Sequence, residues 1–347
     1  MVTERIRRNA ECHHNDEAGT AREASNTGRD FLLKRMRRAA LAIAGVGLLA
    51  AAAVPATAAT PKPDNYRATG KSAGKLPTTK AQAATAACGM GVGAVNAVGT
   101  AGGYDITATR PPSVLPLETF KLFNVRASTT WYFTDGAQQD YYSSLILQGS
   151  NLYGSIVSYN DVAPDPDLAT VKLGTGWTSF RAIASSNYVL GAAPHSFLYG
   201  LHSNGSLYRY TVGETVRAFG SAPGFGTVKA MTLIAETASY DTLLVSLTGG
   251  SLYTVRVPVT NPMKPIVKKV RSTGFAAYES LIAQRCGAAS TLLSAFDNDT
   301  KTVTVYAVSR ATGESTVINN YGSAPATFGG TASFLLTGDA GPQLVGE

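Results

Sequence analysis

The chain has 347 residues, 44% hydrophobic and 15% charged, with a formal net charge of +7. The basic excess sits at the front: residues 1–59 hold nine basic and six acidic residues, 60–80 hold five and one, and 81–347 are balanced at 16 and 16. A neutral body lacks the clustered Lys and Arg that phosphate-backbone binding draws on, so nucleic acid is excluded as a partner.

Residues 1–35 are polar and show no apolar periodicity, and Met36 is the better start. The segment 36–59 carries the three parts of a secretory signal: Arg37 and Arg38, the apolar run Ala39 to Val54, then Pro55 and the small residues Ala56-Thr57-Ala58. The apolar run is too short for a comfortable membrane span. Export through a cleaved signal is therefore expected, which also discards the Cys12, His13 and His14 cluster of the lead. Residues 60–87, rich in Pro, Gly, Ser, Thr and Lys, are expected to be a disordered basic linker. The remaining 88–347 forms the body.

Two cysteines survive cleavage, Cys88 and Cys286. In an oxidising compartment the natural expectation is a Cys88–Cys286 disulfide, with two separately buried thiols as the alternative.

The body shows short β-rich runs split by Gly, Asn, Asp and Ser, the pattern of an all-β protein. Leu198 to Tyr210, LYGLHSNGSLYRY, is a hairpin in which Asn204-Gly205 suggests a type I′ turn. Weaker copies follow the same plan at Ser144–Tyr159, Thr242–Val257 and Thr291–Val308. Their second-strand anchors Leu152, Leu207, Leu252 and Val305 are spaced 55, 45 and 53 residues apart. A second landmark, at Phe180, Val228, Tyr278 and Phe328, is spaced 48, 50 and 50. Two landmarks with one period of about 50 residues indicate a β-propeller. The 260 residues of the body make five four-stranded blades. The irregular first unit, from about Tyr104, is expected to close the ring by pairing with the last strand, FLLTG. A pair of β-sandwiches is the competing architecture.

The hairpin LYGLHSNGSLYRY and the turn GTGWTSF resemble the tachylectin-2-like five-bladed β-propellers, whose repeats carry LYxxxxxGxLYRY and GGWxxF. The match is clear over 176–210 and partial elsewhere. The resemblance implies a lectin that binds N-acetylated amino sugars in shallow pockets between blades. It places Trp177, Asn204 and Tyr208 at the pocket wall. Thr175 stands where the family has Gly, and Phe225 and Phe275 stand where other units would carry Trp. Trp131, in STTWYFTDG, is an alternative aromatic platform. Trp177 has a second reading as a ring that packs one blade on the next, and Tyr199 and Tyr208 have the same reading.

HExxH, GxSxG and CxxC patterns are lacking, so zinc hydrolysis and nucleophile-elbow chemistry lack their parts. No cofactor and no metal site are expected. The glycine-rich GMGVGAV after Cys88 has no Lys of a phosphate loop and reads as a bulge or linker. Glycoside hydrolysis would need two carboxylates about 5–9.5 Å apart. Asp105, Glu118, Asp135 and Asp140 are scattered in the first unit, while NDVAPDPD (160–167) and Asp297-Asn298-Asp299 suit turns. The expected function is thus a secreted, monomeric, carbohydrate-binding propeller without catalysis, whose partner is a glycan or cell-wall polysaccharide. A protein-interaction scaffold and a glycoside hydrolase are the alternatives.

Overall fold

A computed structural model of the chain describes residues 88–134, 140–159, 166–190, 193–338 and 344–347. The lead, signal and linker expected at 1–87 lie outside the described residues, as does most of the NDVAPDPD run. Among the described residues no helix is long and apolar enough to cross a membrane.

The chain opens with β1 (Gly89–Val95), β2 (Thr100–Thr107), β3 (Ser113–Pro116) and β4 (Phe120–Lys121), an incomplete blade with no innermost strand of its own. Blade I follows, its inner strand broken into β5 (Ala127–Ser128) and β6 (Trp131–Thr134), then β7 (Asp140–Gln148), β8 (Asn151–Tyr159) and β9 (Asp167–Thr175). Blade II comprises β10 (Phe180–Tyr188), β11 (His195–His202), β12 (Leu207–Val212) and β13 (Val216–Ala222). Blade III comprises β14 (Val228–Glu236), β15 (Tyr240–Leu247), β16 (Leu252–Pro258) and β17 (Ile266–Arg271). Blade IV comprises β18 (Ser280–Cys286), β19 (Ser290–Asp297), β20 (Thr302–Val308) and β21 (Ile318–Pro325). The last strand, β22 (Ala332–Gly338), pairs antiparallel with β1 and supplies the missing inner strand of blade V. It also pairs in parallel with β6 of blade I.

The fold is a five-bladed β-propeller. Five separate apolar cores, one per seam, establish the closed ring. Leu147 and Leu152 of blade I meet Ile183 and Leu198 of blade II. Tyr199 and Leu201 meet Leu243 and Val245 at seam II/III. Leu244 and Leu252 meet Leu281 and Leu293 at III/IV. Ile282 and Leu292 meet Val92 and Leu335 at IV/V. Val95 and Phe334 meet Trp131 and Ile146 at V/I. A middle strand such as β15 therefore buries both faces, which explains its consecutive apolar residues Leu243, Leu244 and Val245 where a one-faced strand would alternate. The outermost strands face solvent. β17, with Lys268 and Lys269, is the exposed edge expected of the KPIVKKVR run.

Three sequence expectations are corrected. The segment around Tyr104 lies in β2 and does not pair with the last strand; the closing partner is β1, through Gly91↔Leu336 to Val95↔Ala332. The GMGVGAV segment is thus this strand, neither bulge nor linker. Its glycines admit a ring: a Cβ on Gly93 would stand 2.2 Å from Phe334. Third, the SNG turn is not type I′. Gly205 has φ +81° but Asn204 has no positive φ. The Gly205 N–H donates to the His202 carbonyl at 3.0 Å, and the His202 N–H to the Ser206 carbonyl at 3.0 Å. This is a type I turn closed by a left-handed glycine bulge.

The disulfide joins Cys88, before β1, to Cys286, at the end of β18, with Cα atoms 5.7 Å apart and a sequence separation of 198. It staples blade IV to blade V. Replacing both cysteines by alanine should lower the unfolding free energy by about 2–5 kcal/mol. Urea unfolding with and without reductant checks this: reductant should bring the native protein down to the variant and leave the variant unchanged.

Candidate functional site

The inner strands run side by side down a central channel, and their first residues form its upper rim. Each begins with the second sequence landmark, which now has a physical meaning. The N–H of Trp177 donates to Ser150 O (2.9 Å), Phe225 to Gly205 O (2.7 Å), Phe275 to Gly250 O (3.0 Å) and Ala326 to Lys301 O (2.8 Å). In each case a turn entering one blade caps the hairpin turn of the blade before it. The side chains of Trp177, Phe225, Phe275 and Ala326 are all buried.

Just beyond this amide comes a cation that reaches the next blade. Arg126 of blade I donates to Phe180 O at 3.0 Å and Trp177 O at 2.9 Å. Arg181 donates to Val228 O at 3.0 Å and Phe225 O at 3.4 Å. Lys229 donates to Ala276 O at 2.6 Å and to the Glu279 carboxylate at 2.8 Å. Thr331 of blade V donates to Val125 O of blade I at 3.1 Å. Glu279 holds this position in blade IV and accepts from Asn298 N–H of its own blade. The IV/V seam carries the disulfide instead. Sequence reasoning passed over these cations because a lone Arg or Lys after an apolar residue looks like solvated charge.

The four expected sugar contacts separate into two pairs. Trp177 is 5% exposed and packs at 4.5 Å from Phe180 and 4.8 Å from Tyr210, ring to ring. Trp131 is 2% exposed, stacks on Phe334 at 4.5 Å and donates its indole N–H to Ser128 Oγ at 2.8 Å. Neither indole presents an open face; both fill seams. Asn204 and Tyr208 remain at the surface of blade II. The Asn204 amide donates to the Tyr208 hydroxyl at 3.2 Å and its carbonyl accepts the Ser206 N–H at 2.9 Å. The His202 ring stands 5.5 Å from Tyr208, and Tyr210 stacks alongside at 6.4 Å. These half-buried rings lie on the blade I side of β12, beside the exposed Asn204 amide.

The channel encloses about 180 Å³. Hydroxyls line much of it, among them Ser128, Thr130, Ser280, Ser333 and Thr337. Its acidic lining residues are Glu279 at the upper rim and Glu236 at the lower end. Lys229 holds Glu279, and Glu236 lies seven residues beyond Lys229 along β14. At about 3.3 Å per residue the backbones of Lys229 and Glu236 stand about 20 Å apart, which sets the two carboxylates beyond the reach of an acid–base pair.

A nearer pair lies at the lower end. Glu236 and Asp241 face each other across β14 and β15. Asp241 has no exposed surface. Ser186 and Tyr199 donate hydroxyls to its Oδ2 at 2.5 and 2.8 Å, and His195 Nε2 lies 3.1 Å from Oδ1. All three belong to blade II, so Asp241 clasps seam II/III and is sealed from any substrate. Burial, reinforced by the Asp241 charge, holds the Tyr199 hydroxyl well above its usual range, so it remains a donor. Glu236 accepts the Asn187 N–H at 2.7 Å. Burial pushes its carboxyl up to about 7, with Asp241 adding to the rise, against the pull of the Asn187 N–H.

Arg209, the Arg of LYRY, is wholly buried in the same seam. It donates to Pro258 O and, at 2.8 Å, to Thr260 O of blade III. Its guanidinium carbon stands 4.7 Å from the Phe197 and Phe219 ring centroids. The Asp297 cluster is turn chemistry, as expected: Asp297 Oδ1 accepts the N–H groups of Asp299 and Thr300 at 3.0 Å. Among the described residues no three His, Cys, Asp or Glu side chains gather as metal ligands.

No protein-family profile matches the chain, and no curated protein sequence does. Among solved structures it is similar to the catalytic domain of the Coprinopsis cinerea GH62 α-L-arabinofuranosidase, at 13% identity and TM-score 0.38 over 57% of this chain and 68% of that one. It is also similar to the SapL1 lectin in complex with α-methyl fucoside, at 12% identity and TM-score 0.37 over 67% and 79%. A third similar structure is the Vanderwaltozyma polyspora Nup133 β-propeller domain, at 12% and 0.32 over 66% and 85%. The propeller assignment rests on the strand order and the five seam cores.

The raised Glu236 carboxyl sets a pH dependence. The folded protein keeps this proton up to about pH 7, whereas an unfolded chain releases it near the ordinary carboxyl value of 4.5. The stability it contributes is therefore full below pH 4.5 and is lost as pH rises to about 7, a change of roughly 3 kcal/mol. Glu236→Gln keeps an acceptor for Asn187 and should remove this part of the slope. The difference in urea-unfolding free energy between variant and native protein, taken at pH 4.5 and pH 8, should move in the variant's favour; an unchanged difference would show Glu236 ionised in the fold.

Proposed function

We propose that the protein is an exported, non-catalytic carbohydrate-binding propeller whose sugar contact lies on the upper rim of blade II, beside seam I/II. The observation that carries this reading is the grouping of Tyr208, Tyr210 and His202 with the exposed Asn204 amide. A sugar needs an aromatic face for its C–H side and planar polar groups for its hydroxyls, and this patch offers both. Amino-sugar polymers such as chitin or peptidoglycan are the proposed ligands, following the LYxxxxxGxLYRY resemblance. Export is supported by the signal pattern of residues 36–59 and by a disulfide that requires an oxidising compartment. Trp177 acts behind the site, holding Tyr210, and does not touch the sugar.

The test is retention on chitin and peptidoglycan beads. The native protein should be retained. Tyr208→Ala should weaken retention at least tenfold. Asn204→Asp, which keeps the acceptor for Ser206 but loses the amide donor, should weaken it severalfold. Trp177→Phe should leave retention intact, because Phe225 and Phe275 already fill the same position in blades III and IV. Failure of the native protein to bind any amino-sugar polymer would sink the reading.

A further inference from the structure

Residues 344–347, Leu-Val-Gly-Glu, lie outside the blade repeat, yet three different devices hold them. The first is backbone pairing. Val345 bridges Ala235 in antiparallel register, the Glu236 N–H donates to Leu344 O at 3.0 Å, and the Gly346 N–H donates to Ile234 O at 2.8 Å. The segment thus adds itself to the inner edge of β14, which pairs with no other strand among the described residues. From blade IV, the Ala311 N–H donates to Gly346 O at 2.7 Å.

The second device is steric. A Cβ on Gly346 would stand 2.4 Å from Thr291 Oγ1 and 2.7 Å from Ile234 O, one of them backbone. Only glycine fits. The third is a carboxylate clamp. Arg256 donates to Glu347 through Nη2 at 2.8 Å and Nε at 3.1 Å, and the Thr242 hydroxyl donates to the same carboxylate. The Arg256 guanidinium lies over the Tyr240 ring at 4.2 Å, and the Glu347 side chain is only 3% exposed. Two-pronged Arg–carboxylate pairing of this kind selects a planar acidic group.

The receiving residues owe their positions to the blades. Thr242 and Arg256 are direct partners across β15 and β16, Thr291 lies on β19, and Ala311 follows β20. The notch is therefore assembled by blades III and IV, and 344–347 occupies it as a separate strand would, by adding to a free sheet edge. Emptying it leaves an Arg256–Thr242 clamp without its carboxylate, so it favours refilling.

We infer that this notch is a peptide-binding site for an extended strand in which glycine precedes an acidic residue, and that residues 344–347 are a tethered ligand replaceable in trans. It lies on seam III/IV, and its occupancy is independent of sugar binding on blade II. In the native chain the tether holds the ligand at high effective concentration, so free peptide competes poorly.

The experiment uses a fluorescein-labelled Leu-Val-Gly-Glu peptide and the full chain carrying Gly346→Val and Glu347→Lys, whose own segment cannot seat. The peptide should bind this variant at least tenfold more tightly than the native chain. Adding Arg256→Ala, or replacing the peptide glycine by alanine, should cost at least tenfold. Binding no tighter than to the native chain, or insensitive to Arg256, overturns the proposal. Should the variant not fold, hydrogen exchange on the native protein decides. The Gly346 and Ala311 amides should exchange by local opening at least 100-fold faster than Leu244 in β15. Equal rates would mean that the segment leaves only when the whole propeller unfolds, and the proposal would fail.

Discussion

A single backbone contact recurs at all five seams: the amide that opens one blade caps the hairpin turn of the blade before it, as Trp177 caps Ser150, Phe225 caps Gly205 and Leu122 caps Gly99. Everything else on the upper rim is hung from it. The contact fixes the height of one blade against the next, and the side chain that follows is delivered into the seam, where it packs against the apolar core. The cation four residues later then meets the carbonyls of the next blade's entry turn, because that turn has been placed by the same contact. Rotation between neighbouring sheets is thereby set blade by blade, and five such steps close the ring. The turn carbonyls would otherwise sit partly buried beside apolar side chains without a donor, an expensive arrangement.

This explains what was legible in the sequence. The hairpin glycines and the turn residues before Phe180, Val228 and Tyr278 are the two halves of one contact, so both keep the blade period. The fold class and blade count followed from them, while the disulfide partners followed from the body's having two cysteines. Blade V was less legible because its halves lie about 240 residues apart. Nothing near Gly93 signals that its missing Cβ makes room for Phe334, so a glycine-rich strand looked like a linker. The tryptophans were ambiguous for a different reason. A sugar platform and a seam plug both place an indole next to glycine. What separates them is whether the ring keeps an open face. Trp177 and Trp131 do not, whereas Tyr208, unremarkable as a strand residue, is only half-buried.

Seam II/III is held by charge as well as by apolar packing. Arg209 is tied to blade III carbonyls on one side, and Asp241 receives three blade II side chains on the other. Removing water from these groups costs more than an apolar seam would, but each has partners in only one register. Sliding the blades by one residue would leave a buried guanidinium and a buried carboxylate unmatched. The LYRY motif therefore says more about blade alignment than about ligand. Its Arg is wholly inside the molecule, whereas both of its tyrosines are only half-buried beside seam I/II.

The two ends of the channel solve the same problem differently. An innermost strand has a free edge, and an unpaired edge invites another strand. At the upper rim, Arg126, Arg181 and Lys229 cover the entry turns with side-chain donors, leaving no continuous backbone for a peptide to read. At the lower end, β22 pairs with β6 across seam V/I, and residues 344–346 pair with β14. Where the propeller leaves backbone unpaired it recruits a strand, and where it has side chains to spare it seals with them. A ligand approaching the upper face would meet side chains, rings and amides, the groups that the proposed sugar contact calls on. A ligand approaching blade III from below meets a sheet edge, a position with no room for Cβ and an arginine, the chemistry of a peptide.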